Sequence, residues 1–164
     1  MIITLESLLN GGIEKLDLDF SFDFSKEEFD GVFPFTTPVS LIGEITNRAG
    51  IAELSAVAAF DFTALCDRCA CEFTKKMRVP VEHTLVSKLS GEDKDEFIVV
   101  PPEGLDIERL TLEDIYLYLP SKILCKEDCK GVCPSCGADL NQGSCSCKKE
   151  VDPRLEALLS MLDE

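Results

Sequence analysis

The chain has 164 residues, 45% of them hydrophobic, and its 31 acidic and 16 basic side chains give a formal net charge of −15. That size suits one domain, or one domain with a small appendage. No apolar run is long enough to span a membrane, and an anionic body of this kind repels phosphate backbones and favours basic partners.

The opening Met1-Ile2-Ile3-Thr4-Leu5-Glu6 has neither the basic start nor the apolar stretch of a signal peptide. A cytoplasmic, soluble protein is therefore expected, in a compartment where disulfides are rare. Leu5 to Leu9 reads as one helical turn closed at Asn10-Gly11-Gly12. Leu16, Leu18, Phe20, Phe22 and Phe24 then alternate with Asp17, Asp19, Ser21 and Asp23, which is a strand with one buried and one wet face. The aspartates are its solvated side, not a catalytic row. After an irregular stretch with Pro34 and Pro38, residues 39–46 form a second strand and Asn47-Arg48-Ala49-Gly50 a turn. Residues 51–65 form a third, because Ala56, Ala58, Phe60, Phe62 and Ala64 share one parity.

That strand runs into Cys66-Asp67-Arg68-Cys69, and beyond it Cys71, Phe73, Met77, Val79 and Val81 again share a parity. Cys66 and Cys69 thus sit at the tip of a β-hairpin, and parity makes Cys71 a core thiol. His83, the only histidine, falls on the same face and reads as structural. With one histidine no triad can be assembled, and no glycine-rich phosphate cradle is present. An acidic link over residues 87–104 surrounds a short strand at 97–100. A helix is predicted over 111–119, with Thr111 as cap, Asp114 reciprocating, Leu110 stapled to Ile115, and Pro120 ending it. A last helix is capped by Asp152 and opened by Pro153, with Leu155, Leu158, Leu159 and Leu162 on one side.

Between these helices, residues 125–147 hold six of the nine cysteines among Gly131, Pro134, Gly137, Asn141 and Gly143. Such a segment has too little apolar surface to order itself, so covalent or coordinate bonds must hold it. Cys133-Pro134-Ser135-Cys136-Gly137 has the spacing in which two thiolates chelate one metal, and structural zinc takes four such ligands. A dithiol redox motif at Cys133 and Cys136 would need a βαβ setting that the surroundings lack. Cys129, Cys133 and Cys136 also mimic the spacing of radical iron–sulfur enzymes, but only 28 residues follow Cys136, too few for such a barrel.

Nine cysteines divide into four, four and one. One zinc site would be Cys66, Cys69, Cys125 and Cys129, the last two placed on one face of a helical turn. The other would be Cys133, Cys136, Cys145 and Cys147. The alternative is a single zinc held by Cys66, Cys69, Cys133 and Cys136, which strands five thiols. Arg68, Lys75, Lys76, Lys122, Lys126, Lys130, Lys148 and Lys149 crowd these cysteines. They either offset the charge of thiolate-bound zinc or form a small basic island for RNA. By residue numbers, 1–60 carry 10 acids and 3 bases and 91–118 carry 9 and 2, whereas 61–90 carry 4 and 5 and 119–164 carry 8 and 6. The cysteine-bearing regions are therefore the least acidic.

The expected class is α+β: an antiparallel β-meander body with a few short helices over residues 1–120, then a Cys-rich zinc-binding segment and helix over 121–164, packed on the body. Pro38-Val39 with Gly43, Cys66-Asp67-Arg68-Cys69, Leu119-Pro120 to Cys125, and Cys129-Lys130-Gly131-Val132-Cys133-Pro134-Ser135-Cys136-Gly137 carry a resemblance. It continues through Asp139-Leu140-Asn141 and Cys145-Ser146-Cys147 to Asp152-Pro153-Arg154. With these motifs the chain resembles the YceD family over roughly residues 38–162. The resemblance implies a non-enzymatic role in large ribosomal subunit biogenesis and 23S rRNA accumulation, with a ribosomal protein or rRNA precursor as partner. It brings no catalytic residue. The competing expectation is a thiol redox enzyme or sensor using Cys133 and Cys136.

Overall fold

Period-two patterning dictates the architecture. In the computed structural model, which describes residues 1–10, 12–48, 51–88 and 97–147, the strands are β1 (Ile2–Ile3), β2 (Lys15–Phe22), β3 (Val39–Arg48), β4 (Ile51–Leu65), β5 (Glu72–Val86), β6 (Phe97–Val99) and β7 (Leu105–Asp106). The helices are α1 (Glu6–Leu9) and α2 (Ile107–Tyr118). The sheet runs β2-β3-β4-β5-β6, antiparallel except for the parallel β5–β6 pair, and β1 pairs with β7 in a separate two-stranded ladder. This is the expected α+β class. The predicted C-terminal helix, Lys148, Lys149, Ala49, Gly50 and residues 89–96 of the acidic link lie outside the described residues.

Every second residue of β4 from Ala52 to Ala64 is buried, as are Leu41 and Ile45 on β3 and Val79, Val81 and Leu85 on β5. α1 adds Leu8 to this face and α2 adds Ile107 and Ile115. Phe24 meets Phe35 edge-on at 5.8 Å, and Phe35 lies 5.4 Å from Phe60. These pairs let the irregular 24–38 segment close one end of the core.

Among the described residues the opposite face is open. Asp17 lies beside Glu44, Glu44 beside Ser55, and Ser55 beside Glu82; the next row is Asp19, Ile42, Val57 and Pro80. Ile42 is 61% exposed in the middle of it. Lys15 bridges Asp17 at 2.9 Å and Glu44 at 2.6 Å. The aspartates of β2 are thus the solvated face the alternation predicts.

Three local expectations are corrected. α2 begins at Ile107, one turn before Thr111, and its N-cap is Asp106, whose carboxylate accepts the Arg109 N–H at 3.4 Å. Thr111 is fully buried and donates its hydroxyl to the Ile107 carbonyl at 2.7 Å, while Asp114 bonds His83 at 2.7 Å. The β1–β7 ladder explains the shift: it delivers the chain to Asp106 already extended, with Asp106 and Glu108 both holding the Met1 ammonium. The third correction concerns Cys71, which is exposed rather than in the core. Cys71 precedes β5, in the turn at the hairpin tip, where the alternation of the strand does not apply. His83 keeps the parity but is only partly buried, and it has a carboxylate partner that the sequence did not reveal.

Candidate metal centres

The long β4–β5 hairpin projects Cys66 and Cys69 beyond the sheet, and the segment after α2 folds back onto them. Pro120 ends α2 by forcing Leu119 out of the helix, to φ −61° and ψ 135°. The chain then clamps onto the hairpin tip: the Asp67 N–H donates to the Ile123 carbonyl at 2.9 Å, and the Ile123 N–H to the Asp67 carboxylate at 2.7 Å. Further on, the Val132 N–H donates to the Arg68 carbonyl at 3.1 Å, and the Arg68 guanidinium donates to the Cys129 carbonyl at 2.7 Å. Gly131, at φ +77°, makes this approach possible, because a Cβ there would stand 2.8 Å from the Arg68 carbonyl oxygen.

These contacts gather eight sulfurs into two groups. Cys66, Cys69, Cys125 and Cys129 place their Sγ atoms within 4.8 Å of one another, and Cys133, Cys136, Cys145 and Cys147 do the same. Four sulfurs each about 2.3 Å from one metal form a tetrahedron with edges of about 3.8 Å. Cys66 and Cys129 are 3.8 Å apart, and Cys69 and Cys125 are 3.7 Å apart. Each group can therefore hold a metal ion. Cys125 and Cys129 converge through a turn, in which the Cys129 N–H reaches the Lys126 carbonyl at 3.1 Å, and not through the helical turn that their spacing suggests.

The two Cys-x-x-Cys turns are built alike. In one the Cys66 N–H donates to the Cys71 carbonyl at 2.9 Å and the Ala70 N–H to the Cys66 carbonyl at 2.8 Å; in the other the Cys133 N–H donates to the Ala138 carbonyl at 2.8 Å and the Gly137 N–H to the Cys133 carbonyl at 2.8 Å. The residue after the second cysteine is left-handed in both, Ala70 at φ 55° and Gly137 at φ 72°. Such turns aim backbone N–H groups at sulfur. Those of Cys136 and Ser135 bring the Cys133 thiol down to about 6. Burial opposes the charge on Cys66, but N–H groups of Cys125, Arg68 and Cys69 outweigh it and bring that thiol to about 6 as well.

Neighbouring sulfurs cannot all ionise on their own. Burial and the adjoining Cys129, Cys66 and Cys69 push the Cys125 thiol up, and Cys136 together with burial pushes Cys147 up to about 12. A divalent cation held by each group would remove that conflict and keep all four sulfurs as thiolates.

Asn141 is a contributor that sequence reasoning passed over as a turn former. Its amide donates to the Cys129 sulfur at 3.5 Å, while its carbonyl accepts the Lys130 N–H at 2.9 Å. Asp139 orients it, accepting both the Asn141 backbone N–H and the side-chain amide, and those bonds hold the Asp139 carboxyl below its ordinary range. A residue of the second loop thus supports a sulfur of the first group. Replacing Asn141 by Ala is expected to speed metal transfer from the first group to a competing chelator by roughly tenfold, without changing the number of ions bound. An unchanged transfer rate would show that the amide does not hold the sulfur.

Among the crowding cations, Arg68 bonds a carbonyl and Lys126 lies 4.0 Å from Asp128. Both of these contacts are with oxygen.

The family model described as "Large ribosomal RNA subunit accumulation protein YceD" matches residues 54–162, a span that takes in both sulfur groups. An uncharacterised protein of Mycobacterium tuberculosis (strain ATCC 25618 / H37Rv) is 30% identical over 101 residues, covering 59% of this chain and 49% of the relative. A counterpart in Mycobacterium bovis matches to the same extent. The Arabidopsis thaliana protein named "Large ribosomal RNA subunit accumulation protein YCED homolog 1, chloroplastic" is 36% identical over 66 residues, covering 39% of this chain and 20% of its own. The chain thus spans about half the length of the mycobacterial relatives and a smaller part of the plant one. No solved structure matches.

Proposed function

Because the chain belongs to the YceD family, we propose that it serves large ribosomal subunit biogenesis as a non-enzymatic binding factor that sustains 23S rRNA accumulation in the cytoplasm. In this reading zinc occupies both sulfur groups. Four thiolates in a tetrahedron suit zinc or iron–sulfur chemistry, and groups that close with four protein ligands each are the structural kind. The observation that carries the reading is the clamp itself. The first four sulfurs join the hairpin tip to a segment with almost no core of its own and the second four close that segment on itself, so the metal's work is to hold a surface in shape.

The partner favoured by the charge pattern is a basic ribosomal protein. Asp17, Asp19, Glu44, Glu53 and Glu82 lie on the uncovered face of the sheet, around the exposed Ile42. Such a face attracts cations and repels phosphates. An rRNA precursor would instead have to approach near Lys75, Lys76 and Arg78 on β5 and Lys130 beyond it. Passing large-subunit precursor particles, isolated large-subunit proteins and rRNA fragments over the immobilised chain tests the reading. Salt-sensitive retention of a basic ribosomal protein is expected. Retention of none of the three would end the assembly-factor reading.

One observation favours the redox alternative: Cys133 has a lowered pKa and Cys136 beside it is exposed. Elemental analysis separates the two. About two zinc ions per chain with slowly reacting thiols supports the structural role, whereas metal-free protein with a fast-reacting Cys133–Cys136 pair supports the redox one.

A further inference from the structure

The hairpin tip carries a ninth sulfur that the two tetrahedra do not use. We propose that Cys71 and Cys69 form an oxidation site, through which a peroxide-class oxidant joins them and opens the first metal centre.

The Cys71 Sγ lies 3.1 Å from the Cys69 Sγ. That separation is well below the tetrahedral edge of about 3.8 Å for a shared metal, so Cys71 stands against a ligand and is not itself one. Cys71 is exposed and Cys69 partly so, which gives an oxidant access from solvent. The twin turn shows that the fold does not require this thiol. In the second turn the position equivalent to Cys71, whose carbonyl accepts the N–H of the first cysteine, is Ala138. The two turns thus share their hydrogen bonds and a left-handed residue after the second cysteine, and the position that follows it carries a sulfur in only one of them. A thiol that the turn geometry does not need, exposed and in contact with a ligand of the site it adjoins, is placed to be oxidised first and to be resolved by that ligand.

The chemistry balances with peroxide as the named oxidant. The Cys71 sulfur attacks the O–O bond, becomes a sulfenic acid and releases one water after proton uptake. The Cys69 sulfur then displaces the hydroxyl, which leaves as a second water, and a Cys69–Cys71 disulfide remains. Each sulfur gives up one electron and peroxide takes two. With its sulfur bonded to Cys71, Cys69 would no longer serve a metal ion as a thiolate, and Cys66, Cys125 and Cys129 would be the protein ligands left to hold it. A three-thiolate site releases its ion more readily, and with it goes the link between the hairpin tip and the segment after α2. Reduction by an external thiol reverses the step.

This inference rests on the metal reading above, and the experiment separates the two. Full-length zinc-loaded protein and its Cys71→Ser variant are treated with hydrogen peroxide while zinc release is followed with a chromogenic chelator. The peptide covering residues 69–75 is then mapped by mass. Both proteins are expected to start with equal zinc. The wild type releases zinc from one site and yields a peptide lighter by two hydrogen atoms, while Cys71→Ser releases zinc at least about tenfold more slowly. Equal release rates overturn the proposal, and so does a disulfide mapped to other cysteines. Wild-type protein that carries no zinc yet forms the 69–71 bond would overturn the metal reading while leaving the oxidation site standing.

Discussion

Replacing Cys129 by Ala is expected to lower the metal content from about two ions per chain to about one and to release the segment after α2 from the hairpin tip. Cys129 is 1% exposed, and its sulfur faces Cys66 across 3.8 Å. Its removal leaves three sulfurs and deprives Asn141 of its sulfur partner. Structural zinc contributes on the order of 10–16 kcal/mol to small domains that lack a core. The polar hydrogen bonds around Asp67, Arg68 and Gly131 are worth about 1 kcal/mol each, so they do not replace it. The sheet is expected to survive, because its core of Leu41, Ile45, Leu54, Ala58, Val79 and Val81 is independent of sulfur. Limited trypsin digestion reads the difference. The variant is expected to be cut at Lys122, Lys126 and Lys130 at least roughly tenfold faster than the parent, with far-ultraviolet circular dichroism nearly unchanged. A Cys136→Ala variant should also lose one ion but leave the Asp67–Ile123 clamp in place, and so stay slower at Lys122. Two ions retained in Cys129→Ala would dismiss the four-sulfur assignment of the first group.

The second large effect lies in the sheet. Gly43→Ala is expected to destabilise the protein by about 3 kcal/mol or more, lowering Tm by roughly 6–12 °C. Gly43 is on the inward parity of β3, between Leu18 and Ala56. A Cβ there would lie 2.3 Å from the Ser55 carbonyl oxygen and 2.4 Å from the Ala56 Cα. Both are backbone atoms of the neighbouring strand, so no rotamer change relieves the clash, and the β3–β4 ladder itself has to open. Ser55→Ala, on the exposed side of the same ladder, serves as the control and should stay within about 0.5 kcal/mol of the parent. Thermal unfolding that cannot tell Gly43→Ala from Ser55→Ala would show that the two strands have more room than this register gives.

Strands β2 to β5 were legible because each alternates with period two over eight or more residues, and a buried face leaves that mark directly in the chain. The division of eight cysteines into two sets was legible in part for a related reason: Cys66–Cys69 and Cys133–Cys136 each have the two-residue spacing of a chelating turn, and counting assigned the other four thiols. The start of α2 was not legible. Thr111 satisfies the capping pattern, but the real boundary is set by β1 pairing with β7, a contact between residues about a hundred positions apart. Cys71 misled in the opposite way, because parity is counted along a strand and the Cys66–Cys71 turn interrupts the strand.

The sequence alone determined which residues face inward and which thiols are spaced to chelate, since both are properties of neighbouring positions. Only the tertiary structure decided that Asp114 meets His83, that Asn141 supports Cys129, and that Cys71 rests against Cys69. Those meetings depend on how separate segments approach one another, and no local period or spacing encodes the distance between two pieces of chain that touch only after folding.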